Sequence, residues 1–275
     1  IIVFLNPLNR SDLREESFMC KAALRFIAAL FASAALFVGP GCSDDGFVDP
    51  SSGGLSENTS PDVVADPLAE PAFVETFDRH SNVGGWSFFG DPDNRVETIE
   101  MNGGNPGAFL HARCGVWGCL DTYAPQLRTQ GGVSSIFTGD YRQRNVSAVG
   151  VDIAIFGPEY VTTGGRPLSL LLRNDRGTPD DRSDDIVVFW VGNKGIPMPT
   201  GVFKEFEIPV PSQRTVLPKG WGVLSGYGTG DDDADWNAAI TCVSQITFFF
   251  GNPEMFFIFQ QWEIGVDNVR IWCEE

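Results

Sequence analysis

Histidine is nearly absent: His80 and His111 are the only two in 275 residues. That scarcity argues against zinc centres and histidine-driven acid–base chemistry. The chain has no H-E-x-x-H, no G-x-S-x-G and no phosphate-cradling glycine loop ahead of a helix. In Gly222-Val223-Leu224-Ser225-Gly226 the serine falls one place late for a nucleophile elbow. Basic residues are few, 19 against 36 acidic ones, for a net charge of −17 and a pI near 4.4. So acidic a chain repels phosphate backbones, which excludes nucleic acid as a partner, and it repels an anionic membrane surface as well. Helical periodicity almost disappears after residue 71, which excludes an α-rich body.

The longest apolar stretch, Phe26 to Val38, is about 13 residues, too short to span a bilayer and the length of a secretory core. Lys21 and Arg25 precede it, and Gly39, Pro40 and Gly41 lead into Cys42. This arrangement resembles a bacterial lipoprotein signal. The resemblance implies an exported chain held to a membrane only through lipid on Cys42, facing the periplasm or the cell exterior. Ordinary cleavage after the small residues is the alternative. Residues 1–18 are expected to lie upstream of a start at Met19, with 19–41 as the signal. Residues 42–71 are rich in Ser, Asp, Pro and Gly and poor in large apolar side chains. Too little surface can be buried there to offset chain entropy, so a flexible tether is expected.

Four cysteines follow the tether: Cys114, Cys119, Cys242 and Cys273. An even number in an exported chain points to two disulfides, with three connectivities open. Cys114 and Cys119 flank Gly-Val-Trp-Gly and are expected to pair locally, leaving Cys242 for Cys273. C-x4-C spacing with so few histidines does not read as a metal site.

From Ala72 onward, short β-branched and aromatic runs alternate with Gly, Pro, Asn and Asp clusters. Strands are expected from Phe73–Phe77 through Ser134–Phe137, Val146–Phe156 and Phe256–Gln261 to Val266–Trp272. Leu127–Gln130 and Ala234–Ala239 are each expected to form a turn of helix at most. Many short strands separated by turn residues predict an all-β sandwich of antiparallel strands over residues 72–275.

Several motifs come in order: Gly103-Gly104-Asn105-Pro106-Gly107-Ala108-Phe109-Leu110, then Phe137-Thr138-Gly139-Asp140-Tyr141-Arg142, Pro167–Arg173, Asp185–Val188 and Val266-Asp267-Asn268-Val269-Arg270-Ile271. The order resembles laminin-B-type (domain IV) and galactose-binding-like jelly rolls. The resemblance implies a jelly-roll β-sandwich with an extracellular, mostly non-catalytic role. It also implies a structural Ca²⁺ near the ends of the first and last strands, for which Glu75 and Asp267 are the expected ligands.

Two tryptophans lie outside the expected strands, Trp117 between Cys114 and Cys119 and Trp236 in an acidic run. An exposed indole face stacks on a sugar ring, so these are the expected carbohydrate contacts. Trp86, Trp190, Trp221, Trp262 and Trp272 are expected in the core. The acidic clusters Asp175–Asp185 and Asp231–Asp235 lack EF-hand spacing and read as solvated loops. Glu97 and Glu100, three apart on a strand, point to opposite faces and cannot act as a glycosidase pair. The expected function is a lipid-anchored carbohydrate-binding or adhesion module with no catalytic residues. A structural or protein-interaction domain without a small ligand, with a surface protein as its partner, is the second reading, and a polysaccharide-active enzyme the third.

Overall fold

A computed structural model of the chain describes residues 70–79, 83–89, 95–114, 124–157, 166–255 and 262–274. The expected signal, Cys42 and the expected tether up to residue 69 lie outside the described residues, as do Trp117, Cys119 and the expected strand 256–261. Among the described residues no helix is long and apolar enough to cross a membrane.

The described strands are β1 (Phe73–Glu75), β2 (Trp86–Phe88), β3 (Arg95–Gly104), β4 (Gly107–Cys114), β5 (Gln126–Thr129), β6 (Val146–Gly157), β7 (Pro167–Asn174), β8 (Ile186–Gly195), β9 (Lys204–Pro209), β10 (Trp221–Val223), β11 (Gln245–Phe249) and β12 (Trp262–Cys273). One sheet runs β3-β4-β12-β6-β9, with β1 also pairing with β12; the other runs β10-β8-β7-β11-β5-β2. Every pairing is antiparallel. The expected all-β jelly-roll sandwich is the architecture observed.

Period-two alternation builds the core. Val149, Val151, Ile153 and Ile155 of β6, Leu168, Leu170 and Leu172 of β7, and Val266, Val269 and Ile271 of β12 all join one buried cluster. Trp86 and Phe88 of β2 meet Phe137, Phe248, Phe250 and Trp262 ring to ring. Tyr141 is fully buried and donates to Phe137 O at 2.6 Å; burial pushes its hydroxyl well above the usual tyrosine range.

Three local expectations are corrected. Gln126–Thr129 is a strand, because it is paired on both sides, by β11 and by β2. Gly132–Phe137 is a 3₁₀ turn, not a strand. Asp232–Thr241 is a ten-residue helix, α1. The Asp231 side chain accepts from Ala234 N and caps it, while Asp232, Asp233 and Asp235 fill its first turn, where the helix dipole favours negative charge. The acidic run is therefore a helix start.

The expected Cys242–Cys273 disulfide is also corrected: both are free thiols. Cys242 is the exposed C-cap of α1, whereas Cys273 is the last residue of β12, opposite Val146 and half-buried. Cys114 is buried and is not among the free thiols; its expected partner Cys119 lies outside the described residues. Without any reductant, a maleimide reagent should label Cys242 within minutes and Cys242→Ser should remove that rapid phase. An unlabelled Cys242 in the native protein would contradict its exposure.

Candidate functional site

The outer face of the first sheet is built by the residues between the core positions. Since Val151, Ile153 and Ile155 point inward, Gly150, Asp152, Ala154 and Phe156 point outward. The register then places Glu205 beside Asp152 and Glu207 beside Gly150 on β9. On the other side, β12 contributes Glu263, Gly265, Asp267, Arg270 and Trp272, and β4 contributes Phe109, His111 and Arg113. Val96, Thr98 and Glu100 of β3 complete the row.

Two outward positions on the central strands are glycine, and aromatic rings rest on both. A Cβ at Gly265 would meet Phe156 at 2.8 Å and Phe109 at 3.1 Å. Phe109 and Phe156 are stacked with centroids 5.8 Å apart, and Phe203 meets Phe109 edge-on at 5.5 Å. Phe156 remains 37% exposed. A Cβ at Gly150 would meet the six-membered ring of Trp272 at 2.8 Å. Trp272 is half-buried, with the Arg270 guanidinium 5.8 Å from its ring centre. Glycine inside a strand costs chain entropy and marks close approach by another group; here that group is an aromatic ring laid on the sheet. Phe156 and Gly150 are six residues apart on β6, so the two aromatic patches lie about 20 Å apart along the strand.

Polar groups fill the space between and beside them. His111 Nε2 lies 2.9 Å from Glu263 Oε1, and Nδ1 lies 3.5 Å from Glu100 Oε1. Asp267 Oδ2 accepts from Asn105 N at 2.6 Å and Oδ1 from Asn268 N at 2.7 Å. Asp152 accepts from Asn105 Nδ2 at 3.0 Å, from Asn268 Nδ2 at 2.8 Å and from Arg270. Arg270 also pairs with Glu205 at 3.0 Å. The network joins the β3–β4 turn to the bulge of β12, where Asn268 adopts a φ of 45°.

Burial pushes the Asp267 carboxyl up to about 6. The two backbone N–H donors oppose the shift, and Asp152 and Asp78 add to it. The sign follows: the folded state binds this proton more tightly than the unfolded chain, so this group's contribution to stability is greatest below about pH 4 and is lost as pH rises through about 6. The stability of wild type relative to Asp267→Asn should therefore improve on going from pH 7.5 to pH 4.5 in urea denaturation. A difference that stays flat across that range would contradict the assignment.

Among the described residues, the site residues expected from the sequence are not assembled into one site. Trp236 is fully buried against Trp221, with ring centroids 5.1 Å apart, and its Nε1 donates to Arg214 O at 2.9 Å. Neither face is open to a sugar, so its expected role as a sugar platform is corrected to a core role. Trp272, expected in the core, is on the outer face. Glu75 and Asp267 share no partner among the described residues. Glu75 Oε1 accepts from Phe77 N at 3.0 Å, and its other oxygen, Oε2, is buried with no hydrogen-bond partner. Gly84 keeps the space beside it, since a Cβ there would lie 2.9 Å from Oε2. Opposite Val269, Glu75 faces inward, whereas Asp267, opposite Asp152, faces outward. Among the described residues no group of three or more His, Cys, Asp or Glu is arranged to hold a metal ion. Glu97 accepts from Phe88 N on the inner side while Glu100 sits beside His111 outside, as their spacing requires.

No family model and no curated protein matches the chain. Among solved structures it is similar to the tandem CBM22 domains of Paenibacillus barcinonensis Xyn10C, with 13% identity, a TM-score of 0.41, and coverage of 78% of this chain and 52% of that one. It is similar to an exo-beta-agarase at 12% identity and a TM-score of 0.41, over 74% of this chain and 25% of that one. A family 30 carbohydrate-binding module of a Clostridium thermocellum cellulosomal cellulase gives 12% identity and a TM-score of 0.35, over 75% and 94%. The chain thus spans a quarter of the agarase and about half of the tandem modules. At such TM-scores these likenesses carry no argument about what this chain binds.

Proposed function

We propose that the protein is a non-catalytic carbohydrate-binding module and that the outer face of its first sheet holds the glycan. The observation that carries this reading is the pair of aromatic patches laid on Gly150 and Gly265, with carboxylates and a guanidinium beside them. A pyranose has apolar C–H faces and polar hydroxyl edges. The rings of Trp272 and Phe156 suit the faces, and Glu205, Glu207 and Glu263 accept hydrogen bonds from the edges. Affinity electrophoresis of the wild-type protein through gels containing β-glucan, xylan, mannan or galactan tests it. Retardation by at least one polymer is expected, and unimpeded migration through all four would refute the reading.

The same proposal includes export and attachment through lipid on Cys42, with residues 42–71 as a tether and 72–275 as the binding domain. It also keeps calcium, now at Glu75 without Asp267: a cation on the orphaned Oε2 would balance a buried charge, with carbonyl oxygens completing a hard oxygen shell. Adding Ca²⁺ should raise the melting temperature by several degrees over a chelator-treated sample. Superimposed melting curves would remove calcium from the proposal.

A further inference from the structure

We infer that the outer face of the first sheet selects neutral glycans and rejects those bearing carboxylate or sulfate. The inference rests on the carbohydrate reading and narrows it. The face presents Glu100, Glu205, Glu207 and Glu263, with Asp152 and Asp267 buried beneath them, against two guanidiniums, Arg113 and Arg270. Arg270 is already committed to Asp152 and Glu205. Arg113 stands at the far end of the face, directly across from Glu263 in the β4–β12 register. The His111 imidazole is held between Glu263 and Glu100.

Recognition of an anionic sugar relies on an uncommitted guanidinium or ammonium that can meet the carboxylate or sulfate directly. Along the line from Phe156 to Trp272 the sheet offers carboxylates instead. Glu207 lies directly across from Gly150, on which Trp272 rests, so a sugar stacked on that ring sits next to a carboxylate. Hydroxyl groups can donate to it; a second anion is repelled. The net charge of −17 extends the repulsion beyond contact range and makes it sensitive to salt.

The test uses the wild-type protein and matched polymers: a β-glucan, a xylan, a mannan and a galactan, each in neutral form and as its carboxymethylated or sulfated derivative. At about 20 mM salt each retained neutral polymer should bind at least tenfold more tightly than its charged form, and the gap should narrow at high salt, where the Debye length falls to a few ångströms. Glu205→Gln/Glu207→Gln should also narrow the gap. Equal or tighter binding of the charged forms would overturn this inference and leave the carbohydrate reading standing. Failure to bind any polymer of the set overturns both.

Discussion

Replacing Trp236 with alanine should lower the unfolding free energy by about 3–5 kcal/mol, the range for removing a large aromatic side chain from a packed core. The ring is fully buried, packs on Trp221 and donates to Arg214 O. Its loss leaves a cavity between α1 and the second sheet and takes one of two donors from the Arg214 carbonyl, which keeps the Arg142 guanidinium at 2.8 Å. Chemical denaturation measures the change directly. Glycan retention by whatever fraction stays folded should be unaltered. A cost below about 1 kcal/mol would mean that the indole contributes little to the core.

Trp272→Ala should do the reverse. The ring lies on the outside of the sheet over Gly150, so its removal should cost stability only about 1 kcal/mol. Retention by a bound polysaccharide should fall at least tenfold, equivalent to about 1.4 kcal/mol of binding. Gly150→Ala supplies a second check, because the added methyl would press within 2.8 Å of the indole and 2.9 Å of the Phe206 carbonyl on β9, displacing the ring and straining that edge of the sheet. Undiminished binding by both variants would remove Trp272 from the site. On these expectations, one tryptophan serves folding and the other the proposed recognition.

The sequence could have yielded the second result. Val269 and Ile271 are core residues, so strict alternation sends Arg270 and Trp272 outward together. Lying in a strand does not by itself put an indole in the core; parity decides the face, as it does for Glu97 and Glu100. Trp236 is less legible. Four aspartates around it look like a solvated loop, and only their position as cap and first turn of α1 shows why a tryptophan there turns inward. The sandwich itself was legible because β6 and β12 alternate over long stretches. The short β5 was not, since its stability comes from two neighbours distant in the chain, β11 and β2. Cysteine parity counted thiols but carried no distance between Cys242 and Cys273. The polar network around Asp267 likewise depends on a turn more than 160 residues away.

β12 is the last strand in the chain, yet it lies in the middle of the first sheet, between β4 and β6. A nascent polypeptide that has not reached residue 262 has the β3–β4 hairpin and the β6–β9 pair without the piece that joins them. The pairings that close the sheet are among the most distant in sequence, so formation of its outer face is expected to be late and slow.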